Sequence, residues 1–565
     1  MFSTLRKWSY GLLIVLCFSL AASAAERPKN LIVMIADGTG SQQYTFARWW
    51  KGEPMHIERY ATGSLRTFIA DSVVADSAPA ATALATGVRT SDKHIGTGPH
   101  GKGLLPGELV YGDVDFHPLA SVLEGARLTG KATGLVATCR ISHATPAGYF
   151  AHVHNRNFED DITEMGVYAN IDVMLGGGGR HLLPKEQKGK REDGENLEDV
   201  LKERGYALVK TAAEMRAVTS GRLWGSFASN HMEPEMNRPE TAPGQPTLAE
   251  MTDKAVELLS RNTEVFFLMV EGSQVDWANH ANDPAYMVTD LMAWDDACGK
   301  AIEFAEKDGN TLVVMLSDHD TGGFTIGNYR TDKSYSQMKL PELLDPVRKA
   351  TMSSTRMASM LGKAPTLREV KEIVRKGWGV ELADSDARRL LELAAYYGED
   401  KNWAFGEVLS AAHTSIGWSA HGHTGGDVPI GAFGPGKPEG VLDEPGFGAF
   451  CAEALGLDME NLTRRLFVDA SSAFAGGTIK VEPVTASVGG KEVMVDCALK
   501  VECNGRSAEF RTNKNVVTID GRAVEMEGVA FYNQGNGVFY VPAQGAALVT
   551  GSNQPLPPLR KQRAR

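Results

Sequence analysis

Four short apolar segments that end in polar residues constrain the fold of this chain more than any other feature. The segments are Asn30 to Ala36, Ala132 to Thr138, Val265 to Val270 and Leu312 to Leu316. Continuous apolar runs of this length are typical of strands buried on both faces of a parallel sheet. Helical stretches such as Leu248 to Asn262 and Ala285 to Asp308 lie between them. We therefore predict an α/β protein with a mainly parallel central sheet sandwiched by helices.

Acidic, histidine and hydroxyl residues follow these predicted strands. They are Asp37 after the first segment, His143 and Thr145 after the second, Glu271 after the third, and Asp318 and His319 after the fourth. In parallel α/β sheets, ligands bind beyond the carboxyl ends of the strands. We therefore expect these side chains to meet in one crevice.

One serine, Ser77, lies near the start of an alanine-rich segment, Val73 to Thr86, that we interpret as a helix. Pro79 suits the first helical turn, where a missing backbone N–H costs nothing, and Ala80 to Ala85 allow close packing against a sheet. Free N–H groups and the positive helix end then favour an anion near Ser77. A plain capping role is the alternative, because serine is a common N-cap residue.

Spacing typical of metal ligands occurs in three later segments. Asp276 and His280 are four residues apart, so on a helical turn both side chains project towards one ion. Asp318 and His319, a carboxylate beside an imidazole, follow the fourth predicted strand. A glycine-containing loop supplies a further imidazole from either His421 or His423.

Together these segments resemble the alkaline phosphatases. The resemblance extends from Leu31 to about Gly434, and the run from Asp76 to Thr82 is similar to the nucleophile signature of that family. It implies a metal-dependent phosphomonoesterase that hydrolyses small phosphate esters through a phosphoserine on Ser77. It also implies two Zn²⁺ ions, one Mg²⁺ ion and a substrate-binding role for Arg156.

The resemblance also assigns the metal ligands. Asp276, His280 and His423 match the ligands of the first zinc ion, Asp37, Asp318 and His319 those of the second, and Asp37, Thr145 and Glu271 those of the third ion. The Thr-Gly-Gly after His423 fits the family spacing, and His421 stays an alternative. Two residues depart from the best-known bacterial pattern: His143 replaces an acidic residue near the third ion, and Trp277 replaces a lysine near the phosphate. Because imidazole is a softer ligand than carboxylate, the third ion is either Mg²⁺ or another divalent ion.

The first 24 residues have the form of a signal peptide. Arg6 and Lys7 precede an apolar run from Gly11 to Ala22, and a small-residue cleavage site follows before Ala25. The apolar run is too short for a permanent transmembrane helix, and no later segment is long and apolar enough for one. We therefore expect an exported protein, located in the periplasm, outside the cell or on its surface.

The mature chain is predicted to contain two domains. The predicted parts are a catalytic domain over residues 25–466 with a helical insertion at about 341–410, a small all-β domain over 467–553 and a basic tail over 554–565. Short alternating runs separated by Asn-Gly and Asp-Gly turns indicate the β domain. Within it, Cys497 and Cys503 are six residues apart on one predicted strand, too far apart for a disulfide.

Several other functions were weighed against the phosphomonoesterase. A net charge of −12 argues against a dedicated nucleic-acid partner, because that function needs a basic face. A sulfatase does not fit, since the segment from Ser77 to Ala81 lacks the arginine of the formylglycine motif. A phosphodiesterase of the same superfamily stays open. So do a homodimer and a surface-binding protein whose β domain binds cell-surface material.

Overall fold

The computed structural model describes residues 27–101, 103–104, 115–488 and 491–560. The predicted signal peptide and residues 561–565 of the predicted tail lie outside the described residues. Before the C-terminal part, the strands are β1 (Asn30–Ala36), β2 (Ala61–Arg66), β3 (Ala132–Arg140), β4 (Val173–Gly177), β5 (Tyr206–Val209), β6 (Arg222–Ser226), β7 (Phe266–Gly272), β8 (Thr311–Leu316), β9 (Asp320–Thr321), β10 (Thr325–Ile326), β11 (Ile416–Gly417), β12 (His423–Thr424), β13 (Val428–Phe433) and β14 (Gly440–Asp443).

A ten-stranded sheet with the order β14-β2-β13-β8-β1-β7-β3-β4-β6-β5 forms the centre of the molecule. β13 runs antiparallel to its neighbours β2 and β8, and the other pairings described in this sheet are parallel. In β1, Leu31, Val33 and Ile35 face one apolar core, whereas Ile32 and Met34 face another. The predicted α/β fold with a mainly parallel central sheet is confirmed.

Helices cover both faces of this sheet. The earlier helices are α1 (Ser41–Lys51), α2 (His56–Arg59), α3 (Ser77–Thr86), α4 (Val122–Leu128), α5 (Ala144–Ala147), α6 (Glu159–Tyr168), α7 (Leu197–Glu203), α8 (Ala212–Ala217), α9 (Arg238–Thr241), α10 (Leu248–Leu259), α11 (Gln274–His280) and α12 (Pro284–Asp308). α1, α10 and α12 pack on one face, and α3, α4 and α6 pack on the other.

More helices follow β10, and the first five of them pack on the same core as α12. The later helices are α13 (Leu340–Arg348), α14 (Ser354–Ser359), α15 (Leu367–Trp378), α16 (Asp384–Tyr397), α17 (Asn402–His413), α18 (Glu444–Leu455), α19 (Met459–Leu466), α20 (Ala470–Ala473) and α21 (Ala543–Thr550). At the start of α15, the hydroxyl of Thr366 accepts from the N–H of Glu369, and the Glu369 carboxylate accepts from the N–H of Thr366. This reciprocal pair is a capping box.

The alanine-rich helix α3 is buried along its whole length. Its N-cap residue is Asp76, whose carboxylate accepts from the N–H of Ala78 at 3.3 Å, so Ser77 is not the cap. Helices as well as the sheet pack against it: a Cβ atom at Gly448 of α18 would lie 2.4 Å from the carbonyl oxygen of Ala83. Small residues on both helices therefore allow this close contact.

The C-terminal part forms a second, antiparallel sheet, which confirms the predicted all-β fold there. Its strands are β15 (Val468–Asp469), β16 (Thr478–Val488), β17 (Lys491–Cys503), β18 (Arg506–Arg511), β19 (Lys514–Ile519), β20 (Arg522–Asn533) and β21 (Val538–Val541), in the order β15-β21-β20-β19-β18-β17-β16. The alternating runs in the sequence predict strands over 478–481, 492–501, 507–511, 516–519 and 537–541, but they do not predict β20 or α21. The two ends of β20 pair with different strands across an irregular register, which interrupts the simple alternation of side chains.

The second sheet packs directly on the catalytic part of the chain. Phe531 and Tyr540 belong to the same apolar core as Leu31 of β1. Lys514 Nζ lies 3.1 Å from Glu164 Oε1 and 2.9 Å from Glu195 Oε1. Both apolar and ionic contacts therefore join the two parts.

Two further sequence predictions concern membranes and disulfides. Among the helices that the structure describes, none has the length and apolar character needed to cross a bilayer. The described cysteines, all of them free, are Cys139, Cys298, Cys451, Cys497 and Cys503. Cys497 and Cys503 lie on one strand, β17, as the sequence analysis expects.

Candidate metal-binding active site

Polar residues from three neighbouring strands meet at the carboxyl edge of the main sheet. Ile35 in β1 pairs with Glu271 in β7, and β8 lies on the other side of β1. Asp37 follows β1 directly, and Asp318 and His319 follow β8. Adjacent parallel strands thus bring these side chains together.

Cluster A consists of Asp37, Asp318 and His319, which are all fully buried. His319 Nε2 lies 3.6 Å from Asp37 Oδ1 and 3.4 Å from Asp318 Oδ2. Within the described part of the chain, neither oxygen of Asp37 nor Oδ2 of Asp318 has a hydrogen-bond partner. Because buried polar atoms are normally paired, these oxygens suit a cation.

Cluster B consists of Asp276, His280 and His423. Asp276 and His280 lie one turn apart on α11, with Asp276 Oδ2 3.3 Å from His280 Nε2. His423 Nε2 lies 3.7 Å from Asp276 Oδ1 and 3.2 Å from His280 Nε2. The rings of His319 and His423 stack with centroids 3.8 Å apart, so clusters A and B are neighbours.

Gly38 makes room for both clusters. Its φ of 69° lies in the left-handed region, and a Cβ atom there would lie 2.6 Å from Asp276 Oδ1. Only glycine meets both requirements without strain. The backbone after β1 can therefore approach the Asp276 carboxylate closely.

Ser77 faces cluster A from the N-terminus of α3. Its Oγ lies 3.0 Å from His319 Nε2, and the residue is almost fully buried. Since Asp76 caps the helix, the Ser77 hydroxyl is not needed for capping. The hydroxyl thus lies where the free N–H groups of a helix favour an anion.

Cluster C lies on the β3 side of Glu271. Ligand atoms of Cys139, His143 and Glu271 lie within 4.8 Å of one another. In the described residues, Thr145 Oγ1 and Glu271 Oε1 are buried without a hydrogen-bond partner. The structure therefore brings His143 and Glu271 to one place, together with Cys139, and Thr145 follows His143 by two residues in α5.

Arg156 and Trp277 lie beside these clusters. Arg156 Nη1 donates to both carboxylate oxygens of Asp76, at 2.8 and 2.7 Å, and Nη2 lies 3.0 Å from His143 Nε2. The Trp277 ring packs edge-on against His143, with centroids 5.3 Å apart. The Arg156 guanidinium is thus held by the carboxylate of Asp76, the residue that precedes Ser77 in the sequence.

The two candidate histidines of the late loop point in different directions. His423 enters cluster B, whereas His421 Nε2 lies 3.3 Å from Glu407 Oε2 and 3.1 Å from the hydroxyl of Tyr397. His421 Nδ1 donates to the carbonyl oxygen of His280 at 2.7 Å, and His280 Nδ1 donates to the carbonyl oxygen of His421. This reciprocal pair, called here the histidine latch, leaves Nε2 of His280 facing the cluster.

Burial changes the acidity of the carboxyl groups at this edge. Burial, with the charges of Asp318 and Asp276, raises the pKa of Asp37 well above its usual range. Burial, with the charge of Asp318, likewise raises the pKa of Glu271 to about 7. These shifts mark groups whose charge the chain itself does not balance.

The imidazoles respond differently to the same surroundings. Burial lowers the pKa of His319 to about 4. Burial also opposes the charge on His280, but the Asp276 carboxylate outweighs it and raises the pKa of His280 to about 9. Burial and the nearby Arg156 lower the pKa of His143 to about 3. The neutral imidazole of His319 is the form that binds metals.

The donor atoms fit divalent cations. Clusters A and B offer nitrogen and carboxylate oxygen in sets of three, which suits zinc with a position left for substrate or water. Sequence reasoning missed Cys139, the Asp76 partner of Arg156, and Thr321, whose hydroxyl donates to Asp276 Oδ1 at 2.7 Å. No local sequence signal pointed to Cys139, because its contact with Glu271 depends on the register of β3 against β7, in which Ala137 pairs with Glu271.

Comparisons with known proteins identify the family of this chain. The family model described as alkaline phosphatase matches residues 28–456. Alkaline phosphatase 4 of Bacillus subtilis is 33% identical over 443 residues, covering 74% of this chain and 87% of that protein. The repressible alkaline phosphatase of Saccharomyces cerevisiae is 31% identical over 478 residues, covering 75% and 80%.

Solved structures give the same result. The crystal structure of Thermus thermophilus alkaline phosphatase has a TM-score of 0.68 at 29% identity, covering 77% of this chain and 92% of that chain. Alkaline phosphatase of the Antarctic bacterium TAB5, in a variant with aspartate replacing a histidine and Mg bound in its M3 site, has a TM-score of 0.54 at 26% identity and covers 76% and 99%. The chain belongs to the alkaline phosphatase family and is an enzyme of the phosphoric monoester hydrolase class.

Proposed function

We propose that this protein is an exported, metal-dependent phosphomonoesterase that forms a phosphoserine on Ser77. The observation that carries the proposal is the position of Ser77 Oγ. It lies 3.0 Å from His319 Nε2, at a helix N-terminus and next to buried carboxylate oxygens that have no hydrogen-bond partner in the described part of the chain. The substrates are small phosphate monoesters, and the products are an alcohol and inorganic phosphate.

The proposed metal ligands follow the clusters. Cluster B (Asp276, His280 and His423) holds one Zn²⁺, cluster A (Asp37, Asp318 and His319) holds the second, and Asp37, Thr145 and Glu271 hold a third divalent ion. When bound, these cations supply positive charge and Lewis acidity for the serine oxygen and the phosphate oxygens. Buried oxygens of Asp37, Thr145 and Glu271 that find no hydrogen-bond partner among the described residues support this set.

The residues of the chain then perform a two-step transfer. Ser77 Oγ attacks phosphorus, the ester P–O bond breaks, and the alcohol leaves with a proton. Water next cleaves the phosphoserine, which restores the hydroxyl and releases phosphate. Arg156 is the group that binds two nonbridging oxygens at once, because a guanidinium donates two parallel hydrogen bonds.

Acid trapping of the phosphoenzyme tests this proposal. With a chromogenic phosphate monoester, the protein is expected to release alcohol in a burst and to carry phosphate on Ser77. Ser77→Ala should lose both, whereas Ser260→Ala, at an exposed site, should keep both. Labelling of the Ser77→Ala variant, or faster turnover of a matched phosphodiester than of the monoester, would contradict the proposal.

Export is proposed from the sequence of residues 1–24. Sequencing the N-terminus of the mature protein is expected to give Ala25, and an intact N-terminus would contradict export. The domain boundaries 25–466 and 467–553, a homodimer and binding of cell-surface material by the β domain stay predictions.

A further inference from the structure

Cys139 is a buried thiol beside cluster C that the proposed ligand sets do not use. It lies in β3 two residues beyond Ala137, which pairs with Glu271 in β7. Residues two apart on a strand point to the same side, so Cys139 faces Glu271. The Cys139 thiol donates to Glu271 Oε2 over 3.4 Å.

Unpaired polar atoms surround this thiol. Two buried side-chain atoms of its neighbours in the cluster, His143 Nδ1 and Glu271 Oε1, have no hydrogen-bond partner among the described residues. Native structures rarely leave such atoms unpaired unless a ligand, water or ion pairs with them. The group around Cys139 therefore has the features of an ion site and not of an ordinary buried cysteine.

We propose that Cys139 is a sulfur ligand of the third ion, which is then a thiophilic divalent metal such as Zn²⁺ instead of Mg²⁺. The inference rests on the proposed function for the existence of a third ion. Thiolate selects zinc and similar metals, whereas Mg²⁺ requires oxygen ligands. On binding, the S–H bond breaks, a sulfur–metal bond forms, and the proton passes to solvent.

The distance supports shared coordination. Zinc bonds of about 2.3 Å to sulfur and about 2.1 Å to oxygen, at a tetrahedral angle, place the two atoms roughly 3.6 Å apart. Cys139 Sγ and Glu271 Oε2 are 3.4 Å apart before any adjustment. His143 is a neighbour and not a ligand in this set, because Arg156 donates to its Nε2 and leaves its proton on Nδ1.

Cobalt spectroscopy of the metal-depleted full chain tests the assignment. Titration with Co²⁺ is expected to produce a near-ultraviolet sulfur-to-cobalt charge-transfer band. Cys139→Ala and Cys139→Ser should both lose the band but keep the visible cobalt bands from clusters A and B. Cys451→Ala, a buried cysteine in the apolar core, is the matched control and should keep the band.

Two outcomes would overturn the inference: no charge-transfer band in the unmodified chain, or a band that persists in both Cys139 variants. If both variants fail to fold, the unmodified chain decides, because the band must grow with the third equivalent of Co²⁺. Monoester turnover without the band would leave the proposed function standing and reject Cys139 as a ligand. The band without monoester turnover would support Cys139 as a ligand and reject the proposed function.

A competition experiment gives a second readout. Cys139→Ser replaces sulfur with oxygen, so it should shift the preference of the third site from Zn²⁺ towards Mg²⁺. The shift is expected to be at least about tenfold, since even partners outside the ligand shell change metal affinity by that much. An unchanged preference would contradict a sulfur ligand.

Discussion

The catalytic edge and the junction with the second sheet both bury charged groups, but they balance these charges differently. At the junction, Lys514 lies within 3.1 Å of carboxylate oxygens of both Glu164 and Glu195. At the catalytic edge, the carboxylates of Asp37 and Asp318 lie against each other and against a histidine whose pKa burial lowers. Among the described residues, the chain thus supplies a contacting counter-charge at the junction but not for the carboxylates of cluster A.

This difference separates stability from function. Charges that the chain balances itself hold two parts of the fold together, and removing one partner leaves a buried charge unpaired. Charges that the chain leaves unbalanced destabilise the metal-free protein, so they persist where a bound ion uses them. Substitutions in the two regions should therefore have opposite consequences.

The largest expected effect is on activity, from Ser77→Ala. Removing the nucleophile should lower kcat by at least about 10³-fold, as in other enzymes that use a serine nucleophile. The free energy of unfolding should change little, because Asp76 and not Ser77 caps α3. Steady-state kinetics and chemical denaturation together measure both quantities. A large loss of stability with little loss of kcat would show that Ser77 serves the fold and not the reaction.

Lys514→Met should have the opposite effect. It removes the nearer counter-charge of Glu164 and Glu195, while Arg191 Nη2 stays 3.8 Å from each, and should lower the free energy of unfolding by about 1–3 kcal/mol. The kcat of the folded fraction should not change. Lys202→Met removes an exposed ion pair and is the control, with little effect expected. A stable Lys514 variant with reduced kcat would show that the junction serves the active site.

A smaller effect is expected from Glu407→Gln, which weakens the support of the histidine latch. The Glu407 carboxylate contacts His421 Nε2. The carbonyl oxygen of His421 in turn accepts from His280 Nδ1, which orients the His280 ring towards the cluster. Zinc affinity of cluster B should fall about 10- to 100-fold, as for other residues that orient metal ligands. Competition with a zinc chelator measures this, with exposed Glu392→Gln as the control. Equal affinities in the two variants would reject the latch.

The smallest effect is a pH dependence of the free energy of unfolding, and bound zinc should reverse its direction. The pKa of His280 is raised to about 9 in the folded, metal-free protein, above its unfolded value near 6.5. Its contribution to stability is therefore complete below about pH 6.5 and is lost as pH rises through about 9. Zinc needs the neutral imidazole, so zinc stabilisation should grow over the same range. Parallel stability curves with and without zinc would contradict this.

Much of the catalytic part could be predicted from sequence because its signals are local. The apolar run of β1 has no polar interruption, and the structure gives it the predicted bounds, Asn30–Ala36. The four-residue spacing of Asp276 and His280 likewise indicated one helical turn, which α11 provides.

The remaining features depend on contacts between distant segments. Cys139 meets Glu271 through the register of β3 against β7, which no local pattern encodes. The Arg156–Asp76 pair and the contact of His421 with Glu407 also join residues from separate parts of the chain. Strand β20 was missed because its two ends pair with different partners.

The unfolding free energy of Asp37→Asn, measured at pH 8 with and without Zn²⁺, tests the central claim most directly. The amide side chain cannot ionise, so this substitution removes a carboxyl group whose charged form is disfavoured by burial and by the charges of Asp318 and Asp276. The metal-free variant should therefore be more stable than the metal-free unmodified chain, and Zn²⁺ should stabilise it much less. A metal-free variant that is less stable, or full stabilisation of it by Zn²⁺, would contradict the account.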